Sequence, residues 1–116
     1  MSRPQVRAAA RELLRNRELP VLHPVSAIRV PAVLVSTPAE EAINEGFETQ
    51  LTVEIGVYER SEDAVDTTLG MVEKAFAADS SLGGVVRDLE FASYELEIDE
   101  DGTYIGTQSW TAIPTT

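Results

Sequence analysis

The stretch that most constrains this chain is residues 51–76, where one hydrophobic period gives way to another. Leu51, Val53, Ile55 and Val57 alternate with Thr52, Glu54, Gly56 and Tyr58, the period of a strand with one buried and one largely polar face. Residues 48–59 therefore read as the clearest strand. Shortly afterwards Val65, Leu69, Val72 and Phe76 recur at i, i+4, i+7 and i+11, an apolar stripe along one side of a helix. Ser61 stands at the N-cap of that helix, with Glu62 and Asp63 at the positive end of its dipole. A one-sided strand followed by a one-sided helix predicts that the two pack on each other.

Residues 2–16 read as an amphipathic helix through Val6, Ala9, Ala10, Leu13 and Leu14, with Pro4 in the first turn, where its missing N–H costs nothing. Pro20 and Pro24 end the run. Val25 to Ser36 is apolar and β-branched and reads as a strand; Pro31 inside it means that the strand is at an edge, is bulged, or is split in two. Thr37-Pro38-Ala39-Glu40 matches a capping box and predicts a short helix over roughly Pro38–Glu45, stopped by Gly46; the alternative is a long loop with one ordered turn.

Asp79 to Gly84 reads as a turn or loop. From Leu89 to Ile98 the alternation changes phase: Leu89 and Phe91 share one parity, while Tyr94, Leu96 and Ile98 share the other. A bulge near Ala92-Ser93 restores them to one face. Asp99-Glu100-Asp101-Gly102 reads as the turn of a hairpin into a last strand, Tyr104–Ile113. The order helix, strand, short helix, strand, helix, strand, strand predicts an α+β fold: a mostly antiparallel four-stranded sheet with two main helices packed on one face, plus one short helix. With 116 residues, residues 1–116 form one expected domain.

Charge is distributed unevenly. Arg3, Arg7, Arg11, Arg15 and Arg17 face Glu12 alone in residues 1–17, whereas the whole chain carries a formal charge of −11. Arg7, Arg11 and Arg15 follow one another at i, i+4, a basic stripe beside the apolar one. A basic segment on an acidic body fits electrostatic self-complementarity between copies; the alternative is a solvated helix face with intrachain pairs. The acidic excess opposes binding of a phosphate backbone. The N-terminus has no signal-type apolar core, and no apolar run approaches the roughly 20 residues of a membrane span, so a soluble protein made in a cytoplasm, without membrane contact, is expected.

Catalytic chemistry has little to stand on. The absence of cysteine excludes disulfides, thiolate zinc sites and a cysteine nucleophile, and leaves the redox compartment open. His23, the single histidine, lies between prolines in a connector with no nucleophile beside it. A calcium loop starting at Asp99 fails, because Tyr104 and Trp110 occupy the sixth and twelfth positions, where glycine and glutamate are needed. Glu95 and Glu97 share a strand face without a neighbour that assigns them acid or base roles. Gly83-Gly84, Gly102 and Gly106 form no phosphate loop, and no nucleophile elbow is present. Tyr104 and Trp110 read as core or interface aromatics, since no basic residues interleave them. No enzyme activity, metal or cofactor is expected.

The segment from Leu51 to Thr111 resembles the tail terminator or minor tail protein family of long-tailed phages. The likeness lies in a strand ending in Tyr58-Glu59-Arg60, a helix with Ala64-Val65-Asp66 and Val72-Glu73-Lys74-Ala75, the run Asp79–Val86, the strand Asp88–Glu97, and a last strand carrying Gly106 and Trp110. The resemblance implies a virion structural protein at the head-proximal end of the tail, assembled in the host cytoplasm. It implies a homohexameric ring that caps the tail tube, stops tube polymerisation and joins the tail to a neck or head-completion protein, with DNA passing through unbound. On that basis Arg7, Arg11 and Arg15 are candidates for the subunit or tube interface, and reversing two of them to Glu is expected to spare the fold and abolish assembly. Segment 36–48, with Glu40, Glu41 and Glu45, is the candidate pore-side or tube-contact loop. Two other classes remain: a head-closure or tail-completion protein at a neighbouring joint, and a small-molecule-binding regulatory domain with a ligand between helix and sheet.

Overall fold

The computed structural model describes residues 2–22 and 28–115. Helix α1 (Ser2–Asn16) leads to strand β1 (Ala32–Ile43), a 3-10 turn (Asn44–Gly46), strand β2 (Glu48–Glu59), helix α2 (Glu62–Ala78), and strands β3 (Val86–Ile98) and β4 (Tyr104–Pro114). The strands form one antiparallel sheet in the order β1-β2-β4-β3. The α+β fold with both helices on one face follows from which residues are buried.

The alternating residues of β2 (Leu51, Val53, Ile55 and Val57) and the α2 stripe (Val65, Leu69, Val72 and Phe76) meet in one core, joined by Val6, Ala10 and Leu14 of α1. Burial of a side chain of this size stabilises by about 1.5–3 kcal/mol. The Ser61 hydroxyl accepts a hydrogen bond from Ala64 N at 3.1 Å, the expected cap of α2. The loop after α2 is organised by Asp79, whose carboxylate accepts from the Ser81 hydroxyl (2.8 Å) and Gly83 N (2.8 Å), while Leu82 is driven into the core.

Two expectations are corrected. The short helix over Pro38–Glu45 is absent: residues 39–43 continue β1 and pair with residues 48–52 of β2. Ladder bonds to a strongly patterned neighbour override the helix-like local sequence. Pro38 sits where the register shifts between Ser36 and Ala39, a bulge on an edge strand that tolerates a residue without an N–H. The turn comes later, at Asn44, Glu45 and Gly46, all with positive φ. The strand expected from Val25 begins only at Ala32, after Pro31; residues 25–27 of it, with His23 and Pro24, lie outside the described residues. The bulge expected near Ala92-Ser93 is found between Phe91 and Ser93.

β4 pairs with β2 only from Leu51 onward, so the turn end of the β1–β2 hairpin extends past that ladder as a short arm, braced at its base by the ion pair of Glu48 with Arg87 of β3, and the molecule is elongated, 44 × 26 × 26 Å. Phe47 at the arm's tip is 85% exposed.

Candidate functional site

The two edges of the sheet are treated in opposite ways. At the β1 edge, outward backbone groups of Val33, Val35 and Thr37 find partners. Val33 N donates to Pro20 O (2.9 Å) and Leu22 N donates to Val33 O (3.0 Å). Arg11 Nη2 donates to Val35 O (3.0 Å), and Arg3 donates to Thr37 O through Nε (3.2 Å) and Nη2. Arg7 Nη1 donates to the Thr37 hydroxyl at 2.8 Å. An open edge invites strand addition, and here guanidinium groups from α1 close it. Arg11 and Arg7, one i, i+4 step or about 6.0 Å apart along the helix, reach Val35 and Thr37, two strand residues spanning about 6.8 Å, and Arg3 reaches Thr37 as well.

The candidate interface residues therefore divide. Arg7 and Arg11 bond to β1, so their reversal should cost fold stability as well as any contact they make outside the chain. Arg15 is exposed and bonds to no described residue. Burial, then Arg7 and Arg15, lower the pKa of Arg11; three like charges on one helix side repel, and among the described residues no carboxylate lies within ion-pair distance of any of them. Arg3, not singled out in the sequence, does most to fix the edge, because it also pairs with Glu40 at 3.3 Å. Of the candidate loop acids, Glu40 is thus tied to α1, Glu41 stands on β1 opposite Gln50, and Glu45 lies in the turn. All three lie on the β1–β2 hairpin but form no single cluster.

The β3 edge is the reverse. From Val86 to Asp101 seven acids stand against Arg87 alone, and Arg87 is paired with Glu48 and Asp88. Register shifts on either side of Glu90 break its regularity, which with the acids guards against self-pairing. No helix covers β3: α1 packs on β1, and α2 packs on β2 and β4. Two helices about 10 Å apart could span four strands at about 4.8 Å, but α1 is drawn outward to reach the β1 edge. Phe91, Tyr94 and Ile98, on the helix side of β3, consequently stay 51%, 41% and 60% exposed.

Between α2 and β3 runs a groove of about 290 Å³ lined by Asp66, Leu69, Gly70, Glu73, Phe91, Tyr94 and Gln108. Its floor is ordered. The Phe91 ring meets Trp110 edge-on at 5.6 Å, and Trp110 meets Phe76 at 5.0 Å. Trp110 Nε1 donates to Gln108 Oε1 (3.1 Å), and Gln108 Nε2 donates to Glu73 Oε1 (2.8 Å). The Tyr94 phenol is raised in pKa by burial and then by Asp66 and Glu62. Phe91 and Tyr94 are legible in the sequence as core-facing, yet nothing in their alternation tells that no helix reaches them. A sequence signal was present in Gly70, a glycine in the middle of a helix where it costs about 1 kcal/mol relative to alanine.

The sheet face away from the helices is open, and cross-strand partners place Thr52, Glu54, Thr107, Ser109, Glu95 and Glu97 on it. Its negative field reaches Tyr58, whose pKa is raised by burial, then by Glu97, Glu54 and Asp99. Beside it a wider groove of about 590 Å³ opens onto Arg7, Arg11, Ser36, Glu54 and Tyr58. Among the described residues no group of three or more His, Asp or Glu is placed to hold a metal, and no helix is long and apolar enough to cross a membrane. In comparisons with known proteins, no family model and no curated protein matches the chain.

Proposed function

We propose that this chain is a structural virion protein of the tail-terminator type: a ring-forming subunit that caps a phage tail tube, stops its polymerisation and joins it to a neck or head-completion protein. The observation that carries this reading is the opposition of charge across a single sheet, with arginines along the β1 edge and acids along β3. Edges that complement each other but not themselves favour head-to-tail contacts, which close into a ring when the rotation between subunits permits. Two further features support it. The projecting arm with Phe47 at its tip is suited to contact along the ring axis, with the tube. The open hydroxyl- and carboxylate-bearing sheet face is suited to line a passage through which DNA slides, since it offers phosphates no counter-charge.

In this reading the protein acts by presenting surfaces, at the head-proximal end of the tail, and uses no cofactor. Negative-stain microscopy and light scattering of purified protein at rising concentration test it: closed rings of uniform subunit number are expected. Loss of the chain from an infected cell should give tails without length control. A chain that stays monomeric and tightens on adding a metabolite, or whose loss leaves tails of normal length joined to heads, overturns the reading.

A further inference from the structure

Arg7 and Arg11 bring positive charge into the groove of about 590 Å³ that wraps the β1 edge onto the open sheet face. Both are half-buried, and among the described residues neither has a carboxylate within ion-pair distance. A guanidinium carries several N–H donors; Arg7 and Arg11 each spend one on β1, and Arg11 Nε is buried without a partner. Burial, then Arg7 and Arg15, depress the pKa of Arg11, a direction that an incoming carboxylate reverses. Glu54, the single acid in the lining, stands one strand inward, opposite Ser36. The floor is bare backbone at Gly56, where an added side chain would meet only the Tyr58 ring, at 3.5 Å. A glycine inside a strand that neither φ nor packing requires marks a place where another chain can come close.

The matching charge stands on the same chain at the far edge of the sheet. Glu95 and Glu97 are exposed on β3, opposite Thr107 and Ile105, so both face the open side, and among the described residues neither is ion-paired. Two strand residues separate them by about 6.8 Å, against about 6.0 Å of helix between Arg7 and Arg11. We propose that the β1-edge groove receives the β3 edge of a second copy, with Glu95 and Glu97 paired to Arg7 and Arg11. This rests on the ring-forming reading and names the contact from which the ring is built. Outward backbone groups of Val33, Val35 and Thr37 are already taken, so the contact joins side chains and does not extend the ladder. Two β1 edges would juxtapose arginines and two β3 edges carboxylates. The contact is therefore heterologous, and it sets the open faces of successive copies side by side around the ring.

The chain contains no cysteine, so single cysteines report contacts cleanly. Ser36→Cys in the groove and Ser93→Cys on β3, each at an exposed position, are mixed at high concentration and treated with a short bis-maleimide. The mixed product is expected to dominate over either homodimer. In the Ser93→Cys copy, adding Glu95→Lys and Glu97→Lys should leave the thermal midpoint unchanged or higher, since an acidic edge loses like charges. The same change should cut the mixed product by at least about tenfold, the effect of losing a modest charge pair. Predominance of homodimers, or mixed product undiminished by the two lysines, overturns the contact. Assembly seen by light scattering without mixed product overturns this contact and leaves the ring reading standing. Protection of Ser36→Cys by inorganic phosphate, or its capture by a different virion protein in assembled tails, with no mixed product in either case, overturns the second copy as occupant. A protein that remains monomeric at millimolar concentration and forms no mixed product overturns both.

Discussion

Gly106 of β4 lies directly beneath Val65 of α2: a Cβ at residue 106 would collide with Val65 Cγ1 and come within 3.2 Å of Leu69 Cδ1. The helix thus rests on strand backbone, at a distance set by the absence of a side chain. Gly106→Val should force α2 off the sheet and destabilise the domain by about 1–3 kcal/mol, the usual cost of overpacking. Urea unfolding followed by the fluorescence of Trp110, the chain's one tryptophan, measures it. Gly70→Ala on the same helix should do the opposite and stabilise by about 1 kcal/mol.

The arginine-closed edge makes a second prediction. Arg11→Ala removes the donor to Val35 O and Arg3→Ala removes both bonds to Thr37 O together with the ion pair to Glu40. Each should cost about 1–2 kcal/mol, because a partly buried carbonyl loses a charge-assisted partner. Hydrogen exchange should quicken at β1 and the arm more than at β4. Arg15→Glu should leave stability within about 0.5 kcal/mol, as expected for an exposed position without a specific contact.

Beneath the α2–β3 groove, Gln108 is 2% exposed and bridges Glu73 and the Trp110 indole. Gln108→Leu keeps the volume but strands the indole N–H. A loss of about 1–3 kcal/mol follows for a buried donor left unpaired, and the near-ultraviolet signal of Trp110 should broaden. Gln108→Glu retains an acceptor for the indole but sets a buried carboxylate against Glu73, and should cost at least as much.

Acid should act on the loop after α2. The Asp79 carboxylate is held below its ordinary value, first by the Ser81 hydroxyl and then by Gly83 N. A depressed folded-state pKa contributes stability that is fully present above the unfolded pKa, about 3.9, and is lost as pH falls from there through the folded value. Asp79→Asn should therefore flatten the acid limb of the stability profile below about pH 4 and change its shape little at neutral pH. Identical acid limbs in parent and variant would refute the link.

How much of this was legible in the sequence follows from how local each cause is. β2 and α2 could be read because each carries its own burial pattern within a dozen or so residues, and the β3 bulge because a phase change leaves a trace in parity. β1 could not. Thr37-Pro38-Ala39-Glu40 imitates a helix start, and only the ladder to residues 48–52 makes it a strand. The arginine stripe was visible but its targets were not, since Val35 O and Thr37 O are backbone groups that leave no mark in side-chain type. The groove at Phe91 and Tyr94 exists because α1 is drawn to the opposite edge, a consequence of packing between segments far apart in the chain.

The arm supplies the last prediction. Phe47 is 85% exposed at its tip, beside a turn of three residues with positive φ and a side-chain bond from Asn44 Nδ2 to Glu48. That bond and the ladder between residues 39–43 and 48–52 hold the ring in place without burying it, so Phe47 contributes little to folding. Phe47→Ser should shift stability by less than about 0.5 kcal/mol. If the tip anchors the ring to another protein, the loss falls on docking: an exposed aromatic that becomes buried in a partner's pocket is worth about 2 kcal/mol or more. Rings of Phe47→Ser should therefore form normally and fail to stay on tubes through a sedimentation gradient. Equal retention of parent and variant on tubes would place the axial contact elsewhere on the molecule.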